Sequence, residues 1–353
     1  MKMSVKIKKG TLMNNTIEYL DNLLQRICES NWVGHTGNTT EIVLKEMKPF
    51  VDNDFIFPDG SAYGFIKGAN NLDVLLACHI DEIGFIVNYI EENGFLRFKE
   101  VGGADNRILP GQEVIVLGRK QIKGYIGVKP PHLMKKEESE KVITIDKLFI
   151  DTGLAPEMVK KYISIGDFIC FAGHYSKLQG DLRSVKSLDN RASVACGILI
   201  MRELSELGSS VNLHFVATNQ EETTGLGAKI HSYRLKLDYG IVIDVTHGEY
   251  PGLSEGEYYN LNKGPAIGCG ATIPKRLFKL LVETAKSLEI PYQVEPLPAY
   301  TGTDADAIAF NKEGIPTCVL GIPLRYMHTP VEVVSLKDVE RTARLVIEFL
   351  KRL

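Results

Sequence analysis

Four short runs in this chain are apolar almost throughout and then stop at a charged or ligand-type side chain. VLLACHID stops at His79 and Asp81, LHFVATNQEE at Glu221 and Glu222, and YGIVID at Asp244; TCVLGIPLRYMHTP carries His328 just past its apolar stretch. A strand apolar on both faces belongs inside a sheet covered on both sides, as in parallel α/β folds. Ligands of such sheets bind beyond the carboxyl ends of the strands, so four endings remote in sequence can meet at one place. The pattern predicts an α/β chain with one convergent site.

The adjacent glutamates carry the chemical argument. Two neighbouring side chains on one backbone point in different directions, so one can hold a metal while the other stays free to take a proton. Imidazole nitrogens and carboxylate oxygens are the donors that zinc and similar ions accept, and a two-metal hydrolase needs a group bridging its ions. Five residues suffice for such a centre: His79 and Asp244 on one ion, Glu222 and His328 on the other, and Asp189 between them. Asp189 stands at the start of the helical pattern after KSLDN, where helix capping is the competing role. Asp81, two residues past His79, could accept the second imidazole N–H and fix its tautomer.

Composition narrows the class. Net charge is −3 in 353 residues and no long basic run occurs, so neither nucleic acid nor an anionic membrane surface is indicated. The six cysteines, Cys28, Cys78, Cys170, Cys196, Cys269 and Cys318, are scattered without CxxC pairs and read as reduced core residues. The basic start MKMSVKIKKG leads into TLMNNTIEYL rather than an apolar leader, and no apolar run approaches about 18 residues. A cytoplasmic location is expected.

Along the chain, Thr16–Cys28 has helical spacing of Ile17, Leu20, Leu23, Leu24 and Ile27, and Glu41–Met47 repeats the pattern. Ser61–Lys67 and Leu72–Cys78 read as strands. From Phe85 to about Gly173 the texture changes to short alternating runs, GQEVIVLG, GYIGVK and KVITIDKLFI, with turn signals between them. This β-rich stretch, 85–172, interrupts the α/β pattern of 1–84 and 173–353, so it reads as an insertion, with the charged tract Lys135–Lys141 as an exposed loop. Strands Val211–Thr218, Tyr239–Asp244 and Thr317–Gly321 then alternate with helices Gly227–Arg234 and Lys275–Leu288. A helix carrying Val339, Leu345, Val346 and Leu350 closes the chain. His35, His132 and His247 read as loop histidines.

HIDEIGF, PGQEV with GVKPPHL, KSLDNRA, QEETTGLGA, IDVT, NKGPAIG, GTDADAI and IPLRYMHTPVEVV occur in this order. The series resembles the tetrahedral metallo-aminopeptidases, also called glutamyl aminopeptidases and, in older usage, endoglucanase M, over nearly the whole chain from about Glu41. The resemblance implies a mixed-sheet, zinc-peptidase-like catalytic domain with helices on both faces and a PDZ-like inserted dimerisation domain. It also implies two divalent ions, zinc foremost with cobalt or manganese as options. The substrates would be short peptides, and twelve subunits would form a hollow tetrahedron. At matching positions it makes His79, Asp189, Glu222, Asp244 and His328 ligands and Glu221 the base, with Asp81 behind His79. Asp304 in GTDAD would touch substrate or cap the helix over Ala305–Lys312.

The chain departs from that pattern in two places. NWVGHTGNTTE stands where a shorter glycine-serine-glycine-glutamate turn is usual, and Thr301 and Asp306 stand where glycines are usual. Two other classes fit parts of the sequence. A glycosidase needs only two carboxylates about 5–10 Å apart, and a non-catalytic assembly protein would need no free glutamate beside a ligand glutamate.

Overall fold

The computed structural model describes residues 16–133 and 141–353. The MKMSVKIKKG start and all of the Lys135–Lys141 tract except Lys141 lie outside them. The backbone of the α/β part is an eleven-stranded mixed sheet. Its centre is four parallel neighbours, in the order β18 (Thr317–Arg325), β15 (Tyr239–His247), β5 (Asp73–His79) and β14 (Asn212–Thr218). Antiparallel strands flank them: β4 (Ala62–Ile66) and β3 (Asn53–Ile56) on one side, β19 (Glu332–Ser335) and β13 (Leu182–Val185) on the other.

The uniform apolarity of the central strands has the expected cause. Val74, Leu76 and Cys78 of β5 join one core cluster, while Leu75 and Ala77 join another on the opposite face. The first cluster is closed by helices 16–28, Leu188–Leu207, Lys275–Ser287 and Leu336–Leu350. The second is closed by Leu226–Arg234 and Asp304–Ala309. Helices thus cover both faces. The Leu188–Leu207 helix lies almost on the sheet at Gly197, where any Cβ would come within 2.4 Å of the Phe215 ring.

Between β5 and β13 the chain forms a closed antiparallel barrel in the order β10 (Phe149–Asp151), β7 (Leu96–Val101), β6 (Gly84–Ile90), β11 (Phe168–Phe171), β8 (Glu113–Leu117) and β9 (Gln121–Gly127). Its strands run from β6 to β11, around a core that includes Phe85, Phe98, Ile126, Ile150 and Phe171. Closure leaves the barrel no free edge. All six cysteines are free thiols, five of them buried. Among the described residues no helix is long and apolar enough to cross a membrane.

Register carries the strand ends to one place. His79 on β5 pairs with Thr218 on β14, so Glu221 and Glu222 lie just past that level. Asp244 pairs with Gly321, and β18 runs on to Arg325, three residues before His328.

Candidate metal centre

The turn after β14 is built to present two glutamates. Gln220 takes a left-handed φ of 66° and its carbonyl accepts the Thr224 and Gly225 amides. The Glu221 and Glu222 amides donate to the two carboxylate oxygens of Asp81, at 3.1 and 3.2 Å. Asp81 therefore acts first on this turn. The nearest partner of His79 Nδ1 is the Asp81 carbonyl oxygen, at 3.1 Å, with carboxylate Oδ1 at 3.6 Å. Only a protonated Nδ1 can donate to that carbonyl, so the neutral ring a metal would need presents its Nε2 lone pair to the site.

Asp189 lies between the two histidines. Its Oδ1 is 3.1 Å from His79 Nε2 and its Oδ2 is 3.3 Å from His328 Nε2. The Leu188–Leu207 segment is not yet helical at Asp189, whose ψ is 102°, and its carboxylate makes no helix cap. Glu222 approaches His328 Nε2 at 3.4 Å, and Asp244 approaches His79 Nε2 at 3.7 Å. His328 is fixed like His79: Nδ1 is 2.8 Å from the Gly103 carbonyl of the barrel, so the neutral ring a metal would need turns its Nε2 lone pair to the site. All five expected ligands and Glu221 converge.

The charge balance favours cations. Burial pushes the Glu221 carboxyl up to about 8, with His79 opposing and Asp304, Glu222 and Asp189 adding to the rise. Burial likewise raises Glu222 and lifts Asp244 well above the usual carboxylate range. For His328 burial opposes protonation, but Asp189 and Glu222 outweigh it and hold the ring at about 11. Too many anions therefore surround too few protons, which is the imbalance that divalent cations relieve. Donor atoms of His79, Asp189 and Glu222 lie within 4.8 Å of one another. A space of about 10 Å³ touches Asp189, Glu222 and His328, enough for one particle the size of a water. The donor set fits divalent metal ions, and the room beside Asp189, Glu222 and His328 fits one of them.

Other residues of the site carry no conspicuous sequence signal. Glu332, 2 % exposed, accepts the Asp189 amide at 3.0 Å and the His328 amide at 2.8 Å, and so orients both ligands. Burial raises its carboxyl well above the usual range. A single acid in TPVEVV reads as the polar position of an alternating strand. Asp304 is neither cap nor exposed loop: Thr303 caps the Asp304–Ala309 helix by accepting the Ala305 amide, and Asp304 is buried, bonded to the Thr218 hydroxyl. His132 and His247 are exposed; His35 is exposed too, but its ring meets the Gln220 amide.

Beside Glu221 opens a cleft of about 1410 Å³, above the roughly 300–1,000 Å³ of a small-ligand pocket. Tyr233, Tyr300, Ile230 and Phe310 line it, and its lysines are engaged with backbone carbonyls, Lys229 at Thr224 and Lys312 at Leu235. Asp306 accepts the Thr301 and Gly302 amides, so the two departures Thr301 and Asp306 form one braced turn at the cleft wall.

The sequence profile of the M42 glutamyl aminopeptidases matches residues 60–345. A lysyl aminopeptidase of Pyrococcus furiosus is 34% identical over 342 residues, 94% of this chain and 96% of that one. An aminopeptidase from Desulfurococcus kamchatkensis superposes with a TM-score of 0.89 at 32% identity, covering 96% of both chains. The TET1 peptidase of Pyrococcus horikoshii, which can assemble into a tetrahedron or a large octahedral shell, superposes with a TM-score of 0.81 at 27% identity, covering 94% of this chain and 99% of that one.

Proposed function

The chain belongs to the M42 glutamyl aminopeptidase family and is a metal-dependent aminopeptidase, and we propose that it removes N-terminal residues from short peptides at a centre holding two divalent ions. The observation that carries this reading is Asp189, one carboxylate oxygen facing each histidine. His79 and Asp244 would hold one ion, His328 and Glu222 the other, and Asp189 both; zinc suits these donors, with cobalt or manganese as alternatives. Bound there, the ions supply Lewis acidity and charge neutralisation.

The chain's own residues do the rest. The Glu221 side chain is 17% exposed against 6% for Glu222, so Glu221 is the carboxylate open to the cleft. It is placed to take a proton from the attacking water and return it to the leaving amine. Asp81 holds the amides of both glutamates and keeps this division of labour. The cleft lining has Lys229 and Lys312 against Glu221 and Asp306, no net charge, and a mainly apolar remainder. Large apolar N-terminal side chains fit it better than charged ones.

The barrel, which begins one residue before the expected insertion 85–172 between 1–84 and 173–353, is the surface we assign to dimer formation through a two-fold contact. A tetrahedral dodecamer would follow the relatives and admit only short unfolded peptides. Free cysteines fit work in the reducing cytoplasm. Neither a glycosidase nor a non-catalytic assembly protein matches the aminopeptidase relatives.

A panel of aminoacyl chromogenic substrates, run after chelation and after metal add-back, tests the proposal. Activity should vanish with chelator, return as metal approaches two ions per chain, and be greatest for Leu and Phe. N-acetylated peptides should be inert. Activity that survives complete chelation, or saturation below one ion per chain, would overturn it.

A further inference from the structure

The NWVGHTGNTTE segment, which departs from the family pattern, forms a small hairpin in the structure. Trp32 pairs with Gly37 and Val33 with Thr36. Gly34, at φ 60°, opens the two-residue turn, as a type II′ hairpin requires. Three sets of contacts leave this hairpin, and each ends on a different part of the molecule.

The first reaches the residue just past His79 and Asp81. Trp32 N donates to Glu82 Oε1 at 3.0 Å, and Glu82 N donates back to the Trp32 carbonyl at 3.1 Å. The second reaches the turn that delivers the glutamates. The Trp32 indole N–H donates to Asn219 Oδ1 at 2.9 Å, and the same oxygen accepts the Gln220 amide at 2.9 Å. Asn219 is itself 1% exposed and bonded to Asp59 O and Ser61 Oγ, so it has one position to take. The third reaches the barrel. Val33 is fully buried with Leu117 and Cys170, and Phe168 packs on the same cluster. At Gly34 any Cβ would fall 2.5 Å from Cζ of Phe168, so the tip of the ring closes against the turn.

We propose that the Trp32–Gly37 hairpin positions the Asn219–Glu222 turn and makes that position depend on how the barrel is seated. Trp32 is a positioning residue acting through Asn219, and Phe168 is the barrel's end of the same linkage. A one-residue turn of play at Gln220 would swing Glu221 relative to the histidines, and small misplacements of this kind cost about 10²-fold in rate. The proposal rests on Glu221 being the base, which the Glu221→Gln variant tests in the same assay.

The test is Trp32→Phe, which keeps a ring and removes the N–H, together with Phe168→Ala and the double variant, all on metal-replete full-length protein. Trp32→Phe should lower kcat about tenfold or more with KM within about twofold and metal content unchanged. Phe168→Ala should lower kcat with the same signature; Phe168→Leu serves if it fails to fold. The double variant should lose little beyond Trp32→Phe alone, because both act on one turn. If Glu221→Gln is inactive while Trp32→Phe keeps kcat within twofold, the hairpin proposal fails and the catalytic reading stands. Losses that multiply in the double variant would also sink the linkage.

Discussion

Six residues, Lys186 to Arg191, contribute to two buried charge clusters of opposite balance. Lys186 and Arg191 close on Glu82: Lys186 Nζ lies 2.5 Å from Oε2 and Arg191 Nη2 lies 2.8 Å from Oε1. The surplus N–H groups go to backbone carbonyls, Lys186 to Ser30 and Arg191 to Ile27 and Ser30. Burial works against the Glu82 charge, but Arg191 and Lys186 outweigh it and hold the carboxyl below its usual range. Asp189, three residues past Lys186, belongs to the other cluster, where burial raises Glu221, Glu222, Asp244 and Glu332 alike. The first cluster is satisfied from within the chain and braces the fold. The second is not, and an unneutralised set of buried acids persists only where something from outside completes it.

The largest effect expected from that contrast is kinetic. Glu221→Gln should keep its metal and lose about 10²–10⁴-fold in kcat, the usual range for a general base. Retained turnover in a metal-replete variant would move Glu221 out of the reacting set.

Stability gives the sharper comparison, because neutralising one acid in each cluster should have opposite signs. Glu82→Gln leaves two cations facing an amide, and breaking a buried pair in this way costs about 3–5 kcal/mol. Glu222→Gln removes one of several mutually repelling acids, so in chelator its melting temperature should hold or rise. Its metal affinity should fall further than the roughly 10–100-fold that loss of an outer partner costs. Calorimetry with and without metal separates the two variants. A metal-free Glu222→Gln protein as destabilised as Glu82→Gln would erase the distinction between the clusters.

Much of the site was legible because a buried parallel strand has to be apolar until its end. His79 and Asp244 stand out on such strands, and Glu221, Glu222 and His328 follow within ten residues of them. The alternation of Val74, Leu76 and Cys78 against Leu75 and Ala77 likewise follows from burial on both faces. What escaped notice is polar and far from any pattern. Glu332 sits in a short valine-rich strand that is buried at every position, a burial that a single acid in the sequence does not announce. Glu82 lies about a hundred residues from Lys186 and Arg191, and they become partners only when β5 and the Leu188–Leu207 helix pack. Asp304 was expected to cap a helix or touch substrate, yet Thr303 has the capping geometry and Asp304 is buried under it. The Trp32 hairpin was unreadable because its contacts run to residues 82, 168 and 219 rather than to neighbours.

The smallest expected effect lies at a third charged group, Asp21, which extends the comparison to pH. Asp21 on the 16–28 helix accepts from Arg183 Nε at 2.7 Å, Arg183 Nη2 at 2.9 Å and the Tyr175 hydroxyl at 2.6 Å, with Lys177 at 2.9 Å. Burial opposes its charge, but Arg183, Tyr175 and Lys177 outweigh it and depress the carboxyl well below its usual value. A depressed folded-state value means the unfolded chain takes up its proton first as pH falls. The stabilisation from Asp21 is therefore complete above the unfolded value near 3.9 and is lost as pH drops through the lower folded one. Asp21→Asn should cost about 1–3 kcal/mol at pH 7, the scale of hydrogen bonds to a charged group. The gap between the two proteins should close as the pH is taken below about 4. Denaturant midpoints measured from pH 7 down to 3 follow it directly. A gap that stayed constant over that range would show that Asp21 holds the helix through shape alone, and that charge satisfied within the chain is not what sets the structural clusters apart from the metal centre.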